Sequence, residues 1–165
     1  VHFTRLTILT LAAALAVVSL PKPATAASEP AGATDSTQPV MATVHQFIDG
    51  FNKGDVKAAL AACADRTSVI DEFPPHEWQG STACADWARD LAASNEREGI
   101  SRGVVTLSAP WRVDVSGDRA YVVVPARYAY DQHGKHVAES GSIFTLALQK
   151  VAGRWRITGW AWAAH

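Results

Sequence analysis

Beyond Gly99 the apolar residues stop recurring every three or four positions and begin to alternate, and the alternation persists almost to the end of the chain. Short turn sequences interrupt it: SGD at 116–118, DQHG at 131–134 and a glycine at 153. They separate strands expected near 103–115, 119–130 and 136–149, with a last strand running to Trp162. Strands joined by turns this short lie antiparallel, so the second half of the chain is restricted to a meander. In the last strand Trp155 and Ile157 share one phase and Trp160 and Trp162 the other. An extra residue at Gly159 would shift the phase, bend the strand and so curve the sheet.

The segment upstream reads differently. Between Val40 and Lys53, the residues Val44, Phe47, Ile48 and Phe51 fall on one helical stripe, and Gly54 ends the helix. Asp55 can cap a second helix, DVKAALAACAD, whose alanines permit close packing on the first. A strand is expected over 68–78, SVIDEFPPHEW, stopped by Pro74 and Pro75, which donate no ladder hydrogen bonds. Gly80 and Ser81 open a third helix, with Ala83, Trp87 and Leu91 on one face and Asp86, Arg89 and Asp90 toward water. No internal repeat interrupts this order.

Arg5 is the only charge ahead of an apolar run from Leu6 to Leu20, after which come Pro21, Pro23 and the small residues ATA at 24–26. This is the pattern of a cleavable secretory signal over residues 1–26, and the run is shorter than the roughly 20 residues that span a bilayer. Val1 reads as an alternative bacterial start codon. Residues 27–39 carry no large apolar side chain and are expected to be a disordered linker. The domain proper is then 40–165, enough for one core. A formal charge of -1, with 19% charged residues, leaves no basic excess for nucleic acid. Cys63 and Cys84, each placed on a helix, form an even pair in an exported chain; a disulfide and two buried thiols are both open readings.

Three helices, one early strand and a curved meander ending in tryptophans resemble the nuclear transport factor 2-like superfamily, including its polyketide cyclase (SnoaL-like) and ketosteroid isomerase-like branches. The residues that carry the resemblance are FIDGFNKGDVKAALAACADRTSVIDEF and the terminal GRWRITGWAW. It implies an α+β fold with three N-terminal helices packed on a curved antiparallel sheet, enclosing a cone-like cavity. It also puts Asp71 where isomerase-like members carry a general base. Phe47 stands where such an enzyme presents an oxyanion-binding tyrosine, and SGSIFTLALQ offers no acid as a second donor, so a steroid isomerase is not expected.

Alternation assigns Val69, Asp71 and Phe73 to one strand face and Ile70 and Glu72 to the other, so one carboxylate is expected in the cavity. An apolar setting would raise the Asp71 pKa and suit it to proton transfer, with His76 or Tyr128 as a helper. The expected cavity wall comprises Phe47, Val69, Phe73, Trp78, Trp87, Trp111, Tyr128, Tyr130, Trp160 and Trp162, for each of which core packing is the plainer alternative. HEWQG lacks the second histidine of a zinc helix, and His133 and His136 flank an exposed turn. No metal site, cofactor, phosphate loop or activated serine or cysteine is expected. The functional expectation is an exported domain that binds a small apolar or aromatic molecule. Two alternatives stand beside it: an isomerase, cyclase or dehydratase using Asp71, and a non-catalytic homodimerising module. Neither nucleic acid nor, after signal cleavage, a membrane is an expected partner.

Overall fold

The computed structural model describes residues 36–164. The expected signal peptide, and the linker up to residue 35, lie outside the described residues.

Helix α1 (Gln38–Asn52) opens two residues ahead of its expected start, with Pro39 in its first turn, where the missing N–H costs nothing. Val40, Val44, Phe47 and Ile48 form its buried stripe. Helix α2 is shorter than its alanine content implies, covering only Val56–Leu60. Asp55 caps it by accepting the Ala58 N–H at 3.0 Å. The two helices touch at Gly50, where a Cβ would sit 2.6 Å from the Ala59 nitrogen, so only glycine fits. The sheet claims the residues just beyond α2: Ile157 donates to the Ala62 carbonyl, and strand β1 (Cys63–Ile70) begins at the next residue. Cys63 is therefore on a strand and not on a helix. It is disulfide-bonded to Cys84 on helix α3 (Ala83–Arg97).

Between β1 and α3 lies a short strand, β2 (Glu77–Gly80), which hairpins back on β1 through the Pro74–Pro75 segment. The remaining strands are β3 (Ile100–Leu107), β4 (Arg112–Ser116), β5 (Arg119–Gln132), β6 (Lys135–Val151) and β7 (Arg154–Ala163). The single strand expected over 103–115 is thus two, which share one edge of β5; Ser108 and Trp111 donate to β5 carbonyls across the break between them.

The sheet order is β2-β1-β7-β6-β5-β3, with β4 also on β5. It is mixed and not wholly antiparallel: β1 runs parallel to β7. No tight turn joins these two strands, since α3 and the meander intervene, so nothing local imposes the antiparallel sense.

The expected irregularity at Gly159 is present. Gly159 pairs with Ala147 and Ile157 with Leu148, leaving Thr158 as the extra residue, and Trp155, Ile157 and Trp160 are all buried despite their mixed phase. A second bulge interrupts β6 at Gly141, where φ is +90°. Such bulges bend strands and sharpen the twist.

Candidate functional site

A cavity of about 440 Å³ lies against the inner face of the sheet, walled by α1 (Phe47, Phe51), α3 (Trp87, Leu91) and β7 (Trp160, Trp162) among others. Its aromatic rings brace one another. Phe47 lies 5.8 Å from Trp160 and 6.2 Å from Phe144, and Trp87 meets Trp160 edge-on at 4.7 Å. These separations are within the range of favourable aromatic pairs. The wall is also tied down by polar bonds. Asn52, at the end of α1, donates to the Val105 carbonyl at 2.7 Å and accepts its N–H at 2.8 Å, locking α1 onto β3.

One end of the cavity is acidic. Asp71 is 9% exposed. Its Oδ2 accepts the Trp87 indole N–H at 2.8 Å and its Oδ1 accepts the Glu72 N–H at 2.7 Å. Burial pushes its carboxyl above the ordinary range; the Trp87 bond, the Glu72 N–H and nearby His76 oppose that rise. Glu72 is also raised, by burial first and then by the charges of Asp71 and Glu139. In the same cavity lining the Tyr130 hydroxyl donates to Glu139 Oε1 at 2.6 Å, which with burial pushes the phenol up to about 12. Tyr128 lies 4.8 Å from Tyr130, ring to ring, and its hydroxyl passes so close to Gly103 that a Cβ there would stand 2.5 Å away.

Of the residues expected at the cavity, Phe47, Asp71, Phe73, Trp87, Tyr128, Tyr130, Trp160 and Trp162 line it. Four do not. Val69 is fully buried in β1, paired with Trp78 on one side and Trp160 on the other, and belongs to the solid core. Trp78 is buried beside Phe73, and its indole donates to Asp90 on the outer side of α3. Trp111 is 70% exposed, because it falls in the break between β3 and β4. His76 is exposed at a turn with φ of +74°, and its Nδ1 lies 3.2 Å from the Asp71 backbone carbonyl, not from the carboxylate.

The expected segregation of Asp71 from Glu72 also fails. Strand β1 ends at Ile70, and the Asp71 N–H turns back to the His76 carbonyl, so alternation no longer governs and both carboxylates reach the cavity. Glu139 joins them without any expectation from the sequence. It stands on β6 three residues before Ser142, whose phase is that of Phe144. The Gly141 bulge brings Glu139 and Phe144 to the same side, and a mid-strand glycine is the one available signal. Among the described residues, no group of histidine, cysteine and acidic side chains is arranged to hold a metal ion.

No curated protein sequence matches the chain. Solved structures do. A ketosteroid isomerase-like protein from Erwinia carotovora atroseptica aligns over 79% of this chain and 97% of its own, at 16% identity and a TM-score of 0.63. Hexachlorocyclohexane dehydrochlorinase LinA-type3 from Novosphingobium barchaimii aligns over 79% and 86%, at 11% identity and a TM-score of 0.67. A nuclear transport factor 2-like superfamily protein from Salmonella enterica serovar Typhimurium aligns over 78% and 89%, at 16% identity and 0.65. At such identities the likeness is one of fold. The model of the SnoaL-like domain family matches residues 40–161, from the first buried residue of α1 to the last strand, and the chain therefore belongs to the SnoaL-like domain family.

Proposed function

We propose that this protein is an exported carrier or receptor for a small, largely apolar molecule held in the cavity between α1, α3 and the sheet. The observation that carries the reading is a cavity of about 440 Å³ with aromatic walls and a few convergent polar groups at one end. Sites for small organic molecules have this size and make-up. The Cys63–Cys84 bridge supports export, since disulfides persist in oxidising compartments. Ala88 lines the cavity from α3. Protein purified without denaturation and extracted with organic solvent should release an apolar small molecule, identified by mass spectrometry. An Ala88→Trp variant, with its ring filling the space, should release at least tenfold less. Equal release from the two proteins would remove the cavity from the account.

A catalytic reading is favoured by one observation, the buried Asp71 with its raised pKa beside an apolar chamber. Each of its oxygens accepts one hydrogen bond and retains a lone pair for a substrate proton. Isomerisation, cyclisation or elimination would use such a base, and a dehydrochlorinase is among the structures of this fold. An Asp71→Asn variant that still binds the ligand but turns none over would establish this reading; unchanged turnover would end it.

A homodimer is favoured by the outward face of the sheet. Ile70, Ala161, Thr145 and Val123 form one cross-strand row, with Pro125 and Ile143 paired beside it. Only Thr145 in this set carries a polar side chain.

A further inference from the structure

The charged side chains that line the cavity all carry the same sign: Asp71, Glu72, Glu98 and Glu139. Among the described residues no lysine, arginine or histidine lines it. We infer that the cavity selects an apolar or aromatic molecule that carries a protonated amine, with the ammonium toward Asp71, Glu72 and Glu139 and the apolar body among the rings. The inference rests on the small-molecule reading above and narrows it to a chemical class.

The geometry favours an organic cation over the alternatives. A carboxylate ligand would meet only like charge at the polar end, with no basic side chain to offset the repulsion. A bare metal ion would need acidic ligands gathered about one point, an arrangement these side chains do not form. A protonated amine needs neither. It gains from the carboxylates that line the cavity, and the aromatic rings of Tyr128, Tyr130 and Trp87 line it too, a ring type whose face attracts cations. Glu72 is raised first by burial and then by the charges of Asp71 and Glu139, and a cation placed between the three would relieve that repulsion.

A separate observation points to an occupant. Trp160 is 5% exposed and forms part of the cavity wall, and its indole N–H has no hydrogen-bond partner among the described residues. Buried N–H groups are seldom left unpaired, and an oxygen on the bound molecule would satisfy this one.

The test uses three probes that share one ring system and differ only in the polar group: naphthylethylamine, naphthylethanol and naphthylacetate. Each is titrated calorimetrically into the full chain at neutral pH and low salt. The amine should bind at least tenfold more tightly than the alcohol, equivalent to about 1.4 kcal/mol, and the acetate should bind weakest. In Glu72→Gln and Glu139→Gln the amine-to-alcohol ratio should fall at least threefold. Glu72 is exposed, so the first of these substitutions leaves the core intact. An alcohol that binds as tightly as the amine, an acetate that binds best, or a ratio unchanged in both variants would overturn the inference while leaving the small-molecule reading in place. Failure of all three probes to bind would overturn both.

Discussion

The indole of Trp87 and the carboxylate of Asp71 are bonded at 2.8 Å inside the cavity wall, and each shapes what the other can do. Replacing Trp87 with Phe keeps a ring against Phe47 and Phe51 but removes the donor. A hydrogen bond to a charged group contributes about 1.5–3 kcal/mol, so Trp87→Phe should lose roughly that much stability in urea unfolding. It should also raise the Asp71 pKa further, because the indole N–H is the largest influence holding it down, and carbon-detected carboxyl titration reads that directly.

The sign of the pH dependence comes from the same residue. Burial makes the folded-state pKa of Asp71 higher than the unfolded value near 3.8, so the folded chain holds its proton more tightly. That contribution to stability is complete below about pH 3.8 and is lost as pH rises through the folded value. Relative to Asp71→Asn, which does not titrate, the wild-type urea midpoint should therefore fall between acid and neutral pH. A constant difference across that range would show that Asp71 is not desolvated.

How far this site is legible in the sequence depends on the residue. Asp71 is, because an acid among Val69, Phe73 and two tryptophans is out of place on an ordinary strand. Glu72 and Glu139 are not, since alternation turns both away from the cavity until a strand end and a bulge reset the phase.

Elements carry the next level of the argument. The disulfide joins the first residue of β1 to the first turn of α3 across a sequence separation of 21 residues, so the hairpin between them is a closed loop. In the chain-entropy model a loop of this length stabilises the fold by about 3 kcal/mol. The double variant Cys63→Ala, Cys84→Ala should lower the stability by roughly that amount, and the wild type should reproduce the change when unfolded in reductant. Non-reduced peptide mapping should recover the two cysteines in one linked pair.

The same elements show where the sequence speaks for the fold. The helical stripes of α1 and α3 and the turns at 117, 134 and 153 are local signals, and the structure obeys them. Helix α2 is cut short, and β1 lies parallel to β7, for reasons that are not local. Pairing of Cys63 with Ile157, and the hydrogen bond from Ile157 to Ala62, pull into the sheet residues whose intrinsic preference is helical. Tertiary pairing of this kind overrides propensity, and single-residue patterns do not carry it.

At the scale of the whole molecule the sheet has two faces with different tasks. The inner face holds Val122, Val124, Phe144, Leu146 and Trp160 against the helices. The outer face would ordinarily alternate to polar residues where it meets water. Instead Val123, Pro125, Ile143 and Ala161 are only half-buried, and Ile70 and Tyr121 are exposed. A second copy laid on this face would cover it. Stable association needs about 800 Å² from each partner, and Val123 belongs to the same cross-strand row as Ile70, Ala161 and Thr145. Its side chain faces away from the cavity, so a charge there disturbs association without touching the ligand site. Sedimentation equilibrium should therefore find the wild type dimeric at micromolar concentration. In Val123→Lys an ammonium pressed into the apolar interface should cost about 2 kcal/mol or more of association, as the loss of a buried interface contact does, or roughly thirtyfold in the dimer dissociation constant. Amine or alcohol probe binding should persist in the monomer, because the cavity is built within one chain. A wild type that sediments as a monomer at all concentrations, or a Val123→Lys variant that associates as tightly as the wild type, would exclude this face as the interface.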